Sequence, residues 1–277
     1  MNWPKKMLMV SPDHFNVEYA INPHMLDSNG NLNTIDRAKA KTQWQELKLT
    51  FANTGIEIEV IDGVEGLPDM VFCANQTFPF LKDNQLQMIL SEMASEKRQP
   101  EVDSFKKWAN SNDIPIHELA SPLFEGMGDA LWDYDSGKLY AGYGFRTKPE
   151  TYSEITKIID QKITTFELKD ARFYHLDTCL ALLGGGKAAY VEEAFTNEGL
   201  ETLKASFPDL IKIPLIEATQ QLACNMCTPN GKDVILQQGA KQTVAMLKER
   251  GFQVHEVETS EYIKSGGSVF CMKQLLF

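Results

Sequence analysis

The sequence predicts an α/β fold assembled from five copies of one unit, and three observations carry that expectation. Helix, strand, marker residue and hairpin follow one another in the same order along the chain. The markers fall at Phe72, Glu125, His175, Cys224 and Cys271, at intervals of about fifty residues, which is the mark of a repeat array. Five units with sheet edges to hide predict closure into a ring. In such a ring the first strand after each crossover points its marker at a common axis, so Glu125, His175 and Cys271 would converge.

The elements follow in order. Met7-Leu-Met-Val10 is a short apolar strand, and residues 11–24 form a polar loop rich in Asn and aromatics. Asn33, with Asp36 three residues on, caps a helix to about Asn53 whose apolar face is Ala40, Trp44, Leu47 and Phe51. Thr54-Gly55 stops it. Ile56 to Val60 alternates as a strand, and Leu67 to Asn75 leads into two strand-like runs joined at Asp83-Asn84. The second helix (about Pro100 to Asn112, with Val102, Phe105 and Trp108 inward) precedes a strand from Ile114 to Leu119 and a hairpin turning at Asp135-Ser-Gly137. A third helix (about Pro149 to Asp160) gives a strand from Ile163 to Leu168 and a hairpin at Gly184-Gly-Gly186. A fourth (Asn197 to Ser206) gives a strand from Ile211 to Leu215 and a hairpin at Pro229-Asn-Gly231. The fifth (about Gly239 to Arg250) ends at Gly251 and gives a strand from Phe252 to Val257. Ser268 to Leu276 reads as a closing strand, with glycines before it that let backbone and ligand approach closely.

Composition narrows the function. The 277 residues are 43% apolar and 23% charged, enough for one large globular domain over 1–277, with no fused second activity expected. A net charge of −11 without a basic stripe argues against nucleic acid, and no apolar run approaches a membrane span. Five cysteines, an odd count without a small-domain spacing, fit a reducing cytoplasm. Cys224-Asn-Met-Cys227 has CxxC spacing, but there is no second pair, and residues three apart face opposite sides of a strand, so no metal or redox role is expected. His14 and His24 match no metal signature, and no cofactor is implied. A homo-oligomer stays open. Alone, Cys271 reads as a buried structural cysteine; the polar residues that recur before it at nearly one interval argue against that bland reading.

At this point the chain resembles the guanidine-modifying (amidinotransferase, or pentein) superfamily over its whole length. The resemblance rests on Asn22-Pro23, Pro68-Asp-Met-Val-Phe72 with Asn75, Arg98, Phe124-Glu125-Gly126, Gly144-Phe-Arg146-Thr147, His175-Leu-Asp177 and Gly266-Gly-Ser-Val-Phe-Cys271-Met272. It implies a five-bladed α/β propeller and a metal-free hydrolase of linear amidines acting on a small guanidino substrate such as arginine. In that reading Cys271 attacks the guanidinium carbon to give a thiouronium adduct, and His175 serves as acid and then base. Glu125 binds the guanidinium and orients His175, and Asp177, on the same strand face as His175, is the second guanidinium-binding carboxylate. Arg98 and Arg146 hold the α-carboxylate, and Asn22 belongs to a flap over the α-amino group.

Asn75 departs from the aspartate of deiminases and dimethylargininases and resembles the arginine dihydrolase branch, whose products are ornithine, carbon dioxide and ammonia. Gln76-Thr77, Ser268 and Lys273 are further departures. The alternatives are a citrulline-forming dimethylarginine dimethylaminohydrolase or arginine deiminase, then an amidinotransferase, then a non-catalytic arginine-binding pseudoenzyme.

Overall fold

The computed structural model describes residues 3–121 and 123–277. Five small sheets are present among the described residues. β1 (Lys6–Val10) leads by a long loop to α1 (Arg37–Asn53) and β2 (Glu57–Ile61). β3 (Thr77–Lys82), β4 (Gln85–Leu90), α2 (Glu101–Ser111) and β5 (Ile116–His117) follow. The next group is α3 (Gly126–Asp129), β6 (Ala130–Asp133), β7 (Lys138–Tyr143), α4 (Thr151–Ile159) and β8 (Ile163–Glu167). Then come β9 (Leu180–Gly184), β10 (Lys187–Tyr190), α5 (Asn197–Ser206), β11 (Asp209–Lys212) and α6 (Leu215–Gln220). β12 (Asp233–Gln237), α7 (Lys241–Glu249), β13 (Gln253–Val257), α8 (Ser260–Ile263) and β14 (Gln274–Leu276) complete the chain.

One pairing rule serves four sheets: two antiparallel strands, then a strand that returns through a helix and adds in parallel. It holds for β3-β4-β5, β6-β7-β8 and β9-β10-β11. The chain ends make the same sheet together, because β14 pairs antiparallel with β1 while β2 pairs parallel to it. This pairing ties down a C-terminus that would otherwise fray. In the fifth sheet β12 and β13 run parallel, and the expected hairpin shrinks to one bridge between Cys227 and Ile235.

Helix faces follow the apolar spacing. Ala40, Trp44, Leu47 and Phe51 of α1 are buried, as are Val102, Phe105 and Trp108 of α2. Asp83 and Asn84 turn the β3–β4 hairpin with φ of 53° and 59°, the left-handed values that a two-residue hairpin of this type requires.

Several local expectations need correction. Asp36, not Asn33, caps α1, accepting from Lys39 N at 3.0 Å; Asn33 instead donates to the carbonyls of His24 and Lys264. The strand predicted over Ile114 to Leu119 is two residues long. The one predicted over Ile211 to Leu215 ends at Lys212, because Pro214 supplies no N–H and opens α6. The markers do not sit on strands. Phe72, Glu125 and His175 flank single helical turns, and Cys271 lies in a turn ahead of β14. Asp177 therefore shares a helical turn, not a strand face, with His175.

Candidate active site

The turn carrying Cys271 is held by a side chain rather than by a strand. Asn225 Oδ1 accepts from the backbone N–H groups of Ser268, Phe270 and Cys271 at 3.1, 3.1 and 3.3 Å. The donors a closing strand would use are thus taken, so only Gln274–Leu276 joins the ladder. The same amide donates through Nδ2 to Cys271 Sγ at 3.2 Å and to the carbonyl of Asp177 at 3.0 Å, joining two site segments. Gly266 and Gly267 are required by close protein packing, and Gly267 also lines the pocket. A Cβ on Gly266 would come within 2.6 Å of Asn22, and one on Gly267 within 2.3 Å of the Phe72 ring. Ser268 fits in place of a third glycine by pairing its hydroxyl with Thr259 at 2.7 Å.

Asp177 Oδ2 accepts from Cys271 Sγ at 3.2 Å, while Oδ1 is buried with no partner among the described residues. Burial pushes the Asp177 carboxyl up to about 7. Burial, and then the charge of Asp177, raises the Cys271 thiol well above its ordinary value. Two acidic groups in contact in a dry site cannot both ionise without a cation.

Glu125 is the opposite case. Oε1 accepts from Ala94 N at 2.9 Å, and Oε2 accepts from Arg146 at 3.1 Å and meets His175 Nε2 at 2.6 Å. Burial alone would raise this carboxyl, but Arg146 and His175 outweigh it and hold it well below the usual carboxylate range. Glu125 thus orients His175, and in this conformation its acceptor sites are directed to Ala94, Arg146 and His175.

The two arginines also differ from expectation. Arg98, in what reads as an exposed charge run, is buried. It donates to Glu101, to the carbonyls of Asp69 and Phe72, and to Asn75 Oδ1 at 3.0 Å, so most of its fork is in use within the protein. Arg146 pairs with Glu125, donates to the Ile21 carbonyl at 2.7 Å and lies 4.8 Å from the Tyr174 ring centroid. Neither is a free carboxylate clamp in this conformation.

Asn22 accepts from His24 N and donates to the Ser265 carbonyl, pinning its loop over the pocket. Asn75 is fixed the other way round. Arg98 can only donate, so it binds Oδ1 and leaves Nδ2 buried without a partner among the described residues. Gly128 makes this possible, since a Cβ there would lie 2.3 Å from Asn75 Nδ2 and 3.2 Å from the His175 ring.

The pocket is a cavity of about 10 Å³ whose wall includes Asn22, Asp69, Asn75, Arg98, Arg146 and Cys271. Glu125 and Asp177 stand behind it, hydrogen-bonded to Arg146 and Cys271. Sequence reasoning passed over Asn225, Asp69 and Tyr174. Asp69 was visible within Pro68–Phe72, and its buried carboxyl, which accepts from Ser265 and faces the Tyr19 hydroxyl, lines the pocket. Asn225 was one residue from the marker chosen for the fourth unit. Cys224 instead donates to the Ala189 carbonyl in the core, and all five cysteines are free. Among the described residues no group of three or more His, Cys, Asp or Glu side chains is disposed to hold a metal, and no helix is long and apolar enough to cross a membrane.

Comparison with known proteins gives a consistent picture. The family model for N,N dimethylarginine dimethylhydrolase, eukaryotic, matches residues 11–277. The chain is 36% identical over 270 residues to the bifunctional arginine dihydrolase/ornithine cyclodeaminase ArgZ of Synechocystis, covering 96% of this chain but 37% of that protein. It is 34% identical over 268 residues to the N(G),N(G)-dimethylarginine dimethylaminohydrolase of Mycobacterium tuberculosis, covering 96% of this chain and 84% of that one. The crystal structure of the N-terminal domain of ArgZ, covalently bound to a reaction intermediate, superposes with a TM-score of 0.91 at 33% identity, covering 98% of this chain and 97% of that domain. The chain thus has the α/β fold of these structures and spans well under half the length of the first curated relatives it matches.

Proposed function

Since the chain belongs to the N,N-dimethylarginine dimethylhydrolase family, we propose that it is a cysteine-dependent hydrolase of the guanidinium group of arginine, working as an arginine dihydrolase. The observation that carries this reading is the contact of Cys271 Sγ with Asp177 beside a pocket that also holds the unpartnered amide of Asn75. Entry of arginine requires the Asn22 loop to lift from its hydrogen bond to the Ser265 carbonyl. The guanidinium seats against Oδ1 of Asp177, and as the cation arrives the proton of the Asp177–Cys271 pair passes through water to His175. Sγ then bonds to the guanidinium carbon, His175 gives a proton to the departing nitrogen, and ammonia leaves. Water adds to the thiouronium carbon, its proton passes to His175, and the carbon–sulfur bond breaks to give citrulline. Glu125 holds His175 throughout, and Arg146 and Arg98, with Asp69 and Asn22, frame the amino-acid end.

The Asn75 orientation favours a second round. An N–H aimed into the pocket offers nothing to a guanidinium, which has only donors, but it can donate to the ureido oxygen of citrulline and hold it. A second attack by Sγ releases another ammonia, and water frees a carbamate that falls to ornithine and carbon dioxide. Around this site we place a five-bladed α/β propeller formed by the whole of 1–277 as one domain. Cytoplasmic residence and homo-oligomerisation are part of the same proposal.

The second reading, dimethylarginine hydrolysis, is favoured by the family model itself. Mass spectrometry of products from guanidino-labelled arginine and from dimethylarginine separates the two. Labelled carbon dioxide with ornithine is expected, and citrulline alone would rule out the dihydrolase.

A further inference from the structure

Asn225 is buried and fixed through both its backbone and its side chain. Its backbone N–H donates to the Leu222 carbonyl at 2.8 Å, and its carbonyl accepts from Phe270 N at 3.1 Å. Leu222 takes a φ of 43°, a left-handed value that is costly for a residue other than glycine and that collects at functional sites. Three backbone N–H groups converge on Oδ1, and none of them could face an NH₂ group, so the side-chain amide has one orientation. Nδ2 then has two hydrogens and two acceptors, the Asp177 carbonyl at 3.0 Å and Cys271 Sγ at 3.2 Å. On the other flank of the sulfur, Asp177 Oδ2 accepts from the thiol at 3.2 Å. A lone pair of Sγ therefore faces the Asn225 N–H.

Such a bond strengthens when the sulfur becomes negative, and an amide already locked in place needs no rearrangement as that charge develops. The titratable and charged groups around the thiol are Asp177, Tyr174 and Lys273, with Asp69, Arg98 and Arg146 on the pocket wall. Tyr174 donates its hydroxyl to the Gly266 carbonyl, Arg98 pairs with Glu101, and Arg146 and His175 pair with Glu125. Among the described residues, no side chain other than Asn225 donates a hydrogen bond to Sγ.

We propose that Asn225 is a further catalytic residue, whose Nδ2–H stabilises Cys271 as a thiolate when Sγ attacks and again when Sγ is expelled. This deepens the hydrolase reading and rests on Cys271 being its nucleophile. In the first step Sγ bonds to the guanidinium carbon, and the departing nitrogen takes its proton from His175. In the second, water has added, the carbon–sulfur bond breaks, and its electron pair returns to Sγ beside the same N–H.

Two measurements on the intact protein test this. In the first, iodoacetamide, which is neutral, alkylates substrate-free wild type, Asn225→Ala and Asn225→Asp across a pH series, with modification read at the Cys271 peptide. Loss of the donor is expected to raise the rate midpoint of Asn225→Ala by about one pH unit, a tenfold slower reaction below that midpoint. Asn225→Asp keeps an oxygen for the three N–H groups but brings a negative charge, and is expected to rise further. An amide that only holds the turn gives the opposite sign in Asn225→Ala, because a loosened turn admits water and relieves the burial that raises the thiol. An unchanged or lowered midpoint in Asn225→Ala would overturn the proposal. The second measurement does not depend on how the variants fold. In wild type carrying isotope-labelled asparagine, the Asn225 side-chain N–H resonance is assigned by its proximity to the backbone amides of Ser268 and Cys271. It is expected to shift through the same midpoint as alkylation, and a resonance that stays flat there counts against the proposal. Should Cys271→Ser consume arginine as fast as wild type, the hydrolase reading falls, and the alkylation profile still decides whether Asn225 sets the thiol.

Discussion

The two carboxyls behind the pocket wall, Glu125 and Asp177, are equally buried and opposite in electrostatic setting. Glu125 is enclosed by Arg146, His175 and a backbone N–H, and its charge is stabilised before anything binds. Asp177 has a thiol on one oxygen and no partner among the described residues on the other, and burial pushes its carboxyl up to about 7. One side of the site is finished scaffold; the other is completed by a cation. A flat cationic substrate is the natural partner for an unmatched acid of this kind, which is why the difference points to a guanidinium more strongly than either residue alone.

The sharpest way to break the contrast is to neutralise each carboxyl in turn. Asp177→Asn is expected to lower kcat/KM for arginine by about 10²- to 10³-fold, since it removes the charge that receives the substrate. Its stability moves the other way. The Asp177 pKa is raised in the fold, so the native state binds the extra proton, and stability is lost as pH rises from the unfolded value near 4 to about 7. The Asn variant avoids that loss and should melt higher than wild type at pH above about 8, a comparison made by calorimetry.

Glu125→Gln should also cost activity, about 10²-fold, but it destabilises by about 3–5 kcal/mol, because Arg146 and His175 remain buried without their partner. Here the folded pKa is depressed, so the wild-type contribution is present above the ordinary carboxylate range and lost as pH falls through and below it. Denaturation of the two variants at neutral pH should therefore move in opposite directions, and movement in the same direction would erase the distinction.

A smaller effect lies in the pH profile. The wild-type kcat/KM for arginine should fall about tenfold per unit below pH of about 7 as Asp177 takes up its proton, and this limb should flatten in Asp177→Asn. The smallest change concerns the turn that presents the nucleophile. Asn225→Ala strands three N–H groups and should cost about 1–3 kcal/mol in chemical denaturation.

The same contrast marks what the sequence reveals. Helix faces such as Ala40–Trp44–Leu47–Phe51 and the Asp83-Asn84 turn are local properties, and spacing or backbone preference exposes them. The even spacing leads to the expectation that Glu125, His175 and Cys271 converge, and the resemblance adds Asp177; the structure hydrogen-bonds Glu125 to His175 and Cys271 to Asp177. Turn geometry was not legible. Whether Ser268–Lys273 extends into a ladder depends on an amide from another unit, and periodicity has no term for that. An interval of about fifty residues also cannot choose between neighbours, so Cys224 stood in for Asn225. The internal pairing of Arg98 was not legible because its partners Glu101, Asn75 and the Asp69 carbonyl are brought to it only by the fold.

The most direct test of a nucleophilic Cys271 is acid quenching during arginine turnover followed by peptide mass mapping. An adduct of the amidino carbon on the peptide holding Cys271, absent from Cys271→Ser, is the expected result. Undiminished arginine consumption by Cys271→Ser, with no adduct on the wild-type peptide, would contradict it.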